Sequence, residues 1–550
     1  MFGFSVTKKG ILTDNYFKEI GKYENPEPQG VYIMIRRKGN EIVINQDYHG
    51  SYGLYIFKNK DTGFYALSNS FLLLVEYLIG KQNFSFNKDF ADNFILTGLC
   101  SYSQNETMIK EIVQIPSNAF IMINTVTKKL NIFYKDYEEN TIPLESKKGL
   151  EIIDKWMDKW GYIFRSLKKK TGNISFDLSG GFDTRMLLTI LLNSGIDLNY
   201  ILINSYKDKD HGHAEDLKIA NNISLKYGFK LNNLKLYINS TKWNIEDTLF
   251  CTLYSKLGFH KEFYFQSKFH NTPIFKAMGS GGEDLRGEPG SPINKFIRAV
   301  SYGNISGHNK EFYYSSMRFL KRNIVVLKKN KVFNNDYEIA SSLYSKALGK
   351  NHFGKAALEG FISNAYFLYP LMDSELKRIK YDINGRLSHD LLCYIYIRFA
   401  PELINFPFQG NRKLNSESIK KAKSMNNNFE PYKIKSDFNE NFFIDIKRSF
   451  KVLASPNKKN IYESLEKLFD SSIFVNSVKK IYNNNVYKWA KDYRKHSKYF
   501  PFRHEYGLLA ITVVIENLSL NEQLKNNSHF KINYDKKKNK IINYLIEDNC

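Results

Sequence analysis

The sequence predicts an α/β protein in which a doubly wound parallel sheet follows a β-rich segment. Three observations carry this. Residues 1–140 hold short β-branched or aromatic runs divided by turn signals. From about residue 149 the pattern changes to apolar strands alternating with amphipathic helices, which favours a parallel sheet with its ligand at the carboxyl ends of the strands. A chain of 550 residues, 43% hydrophobic and 25% charged, is long enough for two or three cores.

The elements follow in order. VYIMI (31–35), EIVIN (41–45), YGLYIF (52–57), GFYALS (63–68), AFIMIN (119–124) and KLNIFY (129–134) read as strands. Turns are expected at Arg37–Asn40, Asp61–Gly63 and Thr125–Lys128, and a single helix, Ser70–Ile79, interrupts the meander. The polar stretch Glu138–Lys148 separates a β-rich domain, 1–145, from an α/β domain, 146–440. There ISFDLS (174–179) is a strand, Thr184–Asn193 a helix, NYILIN (199–204) a strand and His213–Tyr227 a helix. KLNNLKLY (230–237), a helical stretch near 244–269 and the strand PIFKAMG (273–279) come next. Residues 355–400 read as helical, and 441–550 as a basic, mostly helical extension whose most buried element is YGLLAITVVIENL (506–518).

Composition narrows the function. No apolar run approaches the roughly 20 residues that span a bilayer, and the first residues lack a secretory signal pattern. Four widely spaced cysteines, Cys100, Cys251, Cys393 and Cys550, argue against zinc and disulfides and point to the cytoplasm. The net charge of +24 would attract nucleic acid. The lysines are, however, spread along the whole chain rather than gathered on one face, so nucleic acid is not the expected partner.

Chemistry concentrates in two glycine loops. Ser179-Gly180-Gly181-Phe182-Asp183-Thr184 follows the 174–179 strand and opens a helix. Its glycines allow close backbone approach, and a helix start offers N–H groups to phosphate. Ser179 and Thr184 add hydroxyl donors, while Asp183 makes sense as a ligand of Mg²⁺ that bridges phosphates. No P-loop lysine is present, so the pattern points to cleavage of ATP between its α- and β-phosphates. The second loop, Gly279-Ser280-Gly281-Gly282-Glu283-Asp284, follows another strand, and its carboxylate pair suits a second Mg²⁺. His211 and His213 are too isolated for a metal site and read as loop and cap residues.

On these motifs the chain resembles the asparagine synthetase family. Leu178–Thr184 is similar to that family's LSGGxDS, with Thr for Ser. Gly279–Gly287 is similar to its GEGxDELFGG, with Glu-Asp in place of Asp-Glu. Pro370–Lys377 resembles its PLLDHxLVE, and Asp47–Tyr55 its DxxGxxPLYY strand. The resemblance implies a shortened Ntn-hydrolase-like domain joined to an ATP-pyrophosphatase (PP-loop, adenine nucleotide alpha-hydrolase-like) domain. It implies a reaction in which a carboxylate attacks the α-phosphate of ATP and an amine captures the acyl-adenylate. ATP contacts carry over to Leu178, Ser179, Gly180, Gly181, Thr184, Ile203, Met278 and Gly279. Asp183, Glu283 and Asp284 carry over as Mg²⁺ ligands.

Two departures sharpen the expectation. Glutamine-using members carry Cys after the initiator Met; here residue 2 is Phe, so glutamine hydrolysis is not expected. The family's PKxGF finds its nearest counterpart in Pro401–Asn411, which puts Phe408 at the lysine position; Lys413, with Arg412, is the candidate replacement. Arg185 is a further candidate for a phosphate contact. Beta-lactam synthetase and the lasso-peptide cyclases resemble this arrangement. A tRNA-modifying PP-loop enzyme and a catalytically degenerate nucleotide-binding protein are the alternatives.

Overall fold

The computed structural model describes residues 1–14, 29–97, 103–135, 142–206, 213–232, 240–242, 252–257, 259, 268–270, 272–285, 310–330, 339, 342–380, 389–427, 430, 432–433, 442–444, 461–482, 484–496 and 505–515. Two sheets occupy the first third. The larger has seven strands in the spatial order Phe443–Ile444, Gly10–Leu12, Phe2–Thr7, Gly30–Lys38, Glu41–Gln46, Ala119–Asn124, Leu130–Tyr134. The smaller sets Tyr55–Lys58 between Tyr65–Ser68 and Ile112–Gln114. Alternation decides which face is covered: in Ala119–Asn124 the buried side chains are Ala119 and Ile121. Strand Phe2–Thr7 lies so close to its neighbour at Gly3 (φ 96°) that a β-carbon there would collide with the Val31 carbonyl.

Helix Phe71–Leu78 is where the sequence predicts it, with Ser70 Oγ accepting the Leu73 N–H at 3.3 Å. Among the described residues the meander nevertheless holds a second full helix. Lys88–Thr97 buries Phe90, Ala91, Phe94 and Ile95, an i, i+1, i+4, i+5 stripe interrupted by enough polar residues to hide it.

The middle of the chain is α/β. Four parallel strands lie in the order Leu202–Asn204, Ile174–Asp177, Ile274–Ala277, Ala365–Leu368. Helix Lys147–Thr171 precedes them, begun by Ser146 and ended by left-handed Gly172, with Trp156 and Trp160 on its buried face. Three expectations are corrected. The second strand is shorter than 199–204, because Asp197 caps a 3₁₀ turn over Leu198–Tyr200. The stretch 244–269 is not one helix: 252–256 is helical and 257 and 259 are turn residues, but Lys268–His270 is a strand paired with Ser240–Lys242, and the other residues lie outside the described set. Nor is 355–400 continuous helix. Asn364 adopts a left-handed φ of 63° that ends helix Gly354–Ile362, and AYFL then forms the fourth parallel strand. Periodicity alone does not separate so short an apolar run from helix.

Helices Ile461–Asp470, Ser472–Ile481, Asn484–His496 and 505–515 agree with the helical reading of the last segment, and 505–515 is buried almost throughout. No helix among the described residues is long and apolar enough to cross a membrane. One core surrounds the parallel sheet and joins Phe4 to Trp156, Phe176 and Tyr394. A second joins Tyr55, Phe71 and Phe90 to Phe319, Phe474 and Leu509, so residues from both ends of the chain share it. Phe176→Ala, in the central parallel strand and fully buried, should cost about 3–5 kcal/mol. A lowered urea midpoint with an unchanged m-value is the expected measurement.

Candidate functional site

The strand order fixes where a ligand meets the sheet. From Ile174–Asp177 the chain goes to a neighbour on one side, and the next strand in the sheet, Ile274–Ala277, lies on the other. In doubly wound sheets such a reversal is where a ligand crevice is expected, at the carboxyl ends of these two strands. Both glycine loops begin there: Leu178 N–H donates to the Asn204 carbonyl at 2.8 Å, and Met278 N–H to the Leu368 carbonyl at 2.9 Å, as the last ladder bonds.

The first loop is held by its own hydroxyls. Ser179 Oγ and Thr184 Oγ1 lie 3.0 Å apart, Thr184 Oγ1 accepts the Ser179 N–H at 3.2 Å, and Ser179 Oγ accepts the Gly181 N–H at 3.1 Å. Helix Phe182–Leu192 starts with Gly181 in extended geometry and no side-chain cap. The positive dipole end of this helix therefore lies just beyond the carboxyl end of strand Ile174–Asp177. At Gly180 a β-carbon would press on the side chains of Ile219 and Asp216.

The two loops meet at Asp183. A β-carbon on Gly279 would lie 3.3 Å from Asp183 Cβ, and one on Gly282 would collide with the Asp183 carboxylate. Gly282 N–H donates back to the Gly279 carbonyl at 3.3 Å. Glu283 is half-buried in the short helix Gly282–Leu285; Asp284 belongs to the same helix, its side chain outside the described set. Among the described residues no group of three or more His, Cys, Asp or Glu could enclose a metal. Mg²⁺ needs only one or two protein carboxylates, its shell being completed by phosphate and water, and Asp183 is the carboxylate at which the two loops meet.

Other expected residues are placed unevenly. Leu178 and Met278 flank the crevice, but the Ile203 carbonyl accepts the Asn232 N–H at 2.7 Å and is turned to the sheet edge. Lys413 is exposed. Arg412, beside it, sits 5.2 Å from the Phe182 ring and donates to the Gln409 carbonyl at 2.9 Å. Phe408 is buried, 4.4 Å from the Phe182 ring. Arg185 does not face phosphate. Its guanidinium is buried over Phe408 and donates to the carbonyls of Leu403, Phe406 and Pro407 at 3.1, 3.0 and 2.6 Å. Burial lowers its pKa to about 10. His213 lies 3.4 Å from Asp216; His211, Arg286 and Gly287 lie outside the described residues.

Sequence reasoning missed several participants. Asp216 accepts the Gly180 N–H at 2.6 Å, and Gln409 N–H donates to the Gly180 carbonyl at 3.1 Å, so two distant segments clasp the loop. Lys276 pairs with Asp177 at 2.6 Å, and Asn204 donates to the same carboxylate at 3.2 Å. For Asp177, Asn204 and Lys276 the available signal was a polar residue in the last half of an otherwise apolar strand, where a buried parallel sheet would favour Val or Ile; Asp216, in a helix, and Gln409, in a 3₁₀ turn, gave none. No family model matches the chain, and no curated protein matches it.

Arg185→Leu would leave three carbonyls short of a donor and should cost about 3 kcal/mol or more. Urea unfolding of Arg185→Leu beside Arg185→Lys checks this; Lys is expected to recover part of the loss, because one ammonium lacks the planar fork that reaches several carbonyls.

Proposed function

We propose that this chain is an ATP-dependent, AMP-forming ligase of the asparagine-synthetase kind. In this reading it adenylates a carboxylate and couples it to an amine or ammonia without hydrolysing glutamine. The observation that carries it is the meeting of two glycine loops at Asp183, in the crevice where the parallel strand order reverses. The four-stranded sheet is then the nucleotide-binding half of a PP-loop fold, and the β-rich domain is a relative of the glutaminase domain that lacks its chemistry. Phe2 is a strand residue paired with Ile33. We assign the protein to the cytoplasm on its widely separated cysteines.

The chain's own groups have separable tasks. N–H groups at the start of helix Phe182–Leu192, with the Ser179 and Thr184 hydroxyls, bind the pyrophosphate that leaves. Their donors stabilise charge as the Pα–O–Pβ bridge breaks. A carboxylate oxygen of the substrate forms the new bond to Pα; the amine then attacks the acyl carbon, and AMP departs. Asp183 and Glu283 would hold Mg²⁺, which neutralises the phosphate oxygens. Arg412 stands beside the helix start and is a better placed cation than Lys413.

Exchange of labelled pyrophosphate into ATP, run across a panel of carboxylic acids, tests the reading. Exchange with at least one acid is expected, and Asp183→Ala should reduce it at least a hundredfold without moving the melting temperature. ATP binding with no exchange for any acid would sink the ligase. Gly282→Ala should weaken Mg·ATP binding about tenfold or more, since its methyl displaces the Asp183 carboxylate; calorimetric titration measures it.

A further inference from the structure

The turn Pro370–Asp373 joins the last parallel strand to the site, and three parts of the chain grip it. Trp156 Nε1 donates to the Pro370 carbonyl at 2.9 Å, and Trp160 Nε1 to the Asp373 carboxylate at 2.8 Å. Lys159 pairs with that carboxylate at 3.1 Å. The third grip comes from the β-rich domain. His49 Nε2 lies 2.8 Å from the Met372 carbonyl, and Gln29 Nε2 donates to the same oxygen at 3.1 Å. A carbonyl only accepts, so Nε2 of His49 carries the hydrogen. Both side chains are buried and lie 323 and 343 residues from Met372 in sequence.

His49 is itself fixed. The buried Asp47 carboxylate accepts the N–H groups of His49 and Ser51 at 3.0 Å and of Tyr32 at 3.2 Å, which shapes the turn that presents the imidazole. On the other side of the contact, the Met372 side chain fills the space beside Gly281. That glycine has a φ of 92°, and a β-carbon on it would strike Met372 Cγ. Gly282, next in the chain, abuts Asp183. A continuous line of contact therefore runs from Asp47 through His49 and Met372 to Gly281, Gly282 and Asp183.

We propose that His49 and Gln29 are positioning residues: by holding the Met372 carbonyl they seat the 279–284 loop against Asp183, so the β-rich domain serves as the brace of the nucleotide site. The consequence for ligand affinity rests on the ATP reading above; the consequence for loop order does not. Neither residue approaches the reacting atoms, and each acts through Met372.

The test uses the full chain in His49→Ala, Gln29→Ala and His49→Gln variants, read by amide hydrogen exchange and by titration with Mg·ATP. His49→Ala should raise exchange over 279–285 about tenfold while leaving 150–170 and the melting temperature close to wild type. Mg·ATP should bind about tenfold more weakly. Gln29→Ala should act in the same direction with a smaller effect, and serves if His49→Ala fails to fold. His49→Gln, which keeps a donor, should restore both readouts; a role limited to packing would give no such rescue. Unchanged protection over 279–285 in folded His49→Ala and Gln29→Ala overturns the brace. If the exchange changes appear but wild-type chain binds no Mg·ATP, the brace stands and the nucleotide reading falls.

Discussion

The close approach of Gly282 to Asp183 is the contact on which the site depends. It requires two strands, Ile174–Asp177 and Ile274–Ala277, to lie side by side although a hundred residues separate them. It also requires glycine at 282, because no side chain fits between the second loop and the carboxylate. The parallel register supplies the first condition. The apolar faces built from Phe176, Ile203 and Phe275 hold that register by burying the strands in one core.

Around this contact the chain uses charge sparingly and mostly in pairs. Arg185 is buried to organise the carbonyls of 403–407, and in doing so it sets the strap that follows, where Gln409 meets Gly180 and Gly410 meets Glu215. Asp216 holds Gly180 from the opposite direction. The glycine loop is thus shaped by residues of three separate segments, and its geometry belongs to the fold rather than to the six residues of the motif. Such support fixes the orientation of the loop's N–H groups, which is the condition for electrostatic preorganisation.

Much of this was legible in the sequence, and the boundary of legibility is physical. The 174–179 strand, its glycine loop and the following helix are local: alternation, turn chemistry and helix periodicity all act within a dozen residues. The helix Phe71–Leu78 and the buried 505–515 helix were legible for the same reason. What failed was short or non-local. Ala365–Leu368 is four apolar residues, too few to show a period, and Lys88–Thr97 has its apolar stripe diluted by polar neighbours. The orientation of Arg185 was hidden because its partners lie 218 to 222 residues away. The Asp177–Lys276 pair was visible as misplaced polar residues but not as partners, and Asp216 read as an ordinary first-turn acid of its helix. The motif named the loop; the groups that shape it came only from the packing.

The edge strand Phe443–Ile444 has a consequence in time. It pairs with Gly10–Leu12 and completes the seven-stranded sheet. A ribosome adding roughly 5–20 residues per second needs tens of seconds to travel from one to the other. Throughout that interval strand Gly10–Leu12 emerges with an open flank, the kind of edge that recruits foreign strands. Shielding of this edge in the nascent chain, by a chaperone or by transient contacts, is therefore part of what lets the protein reach its fold.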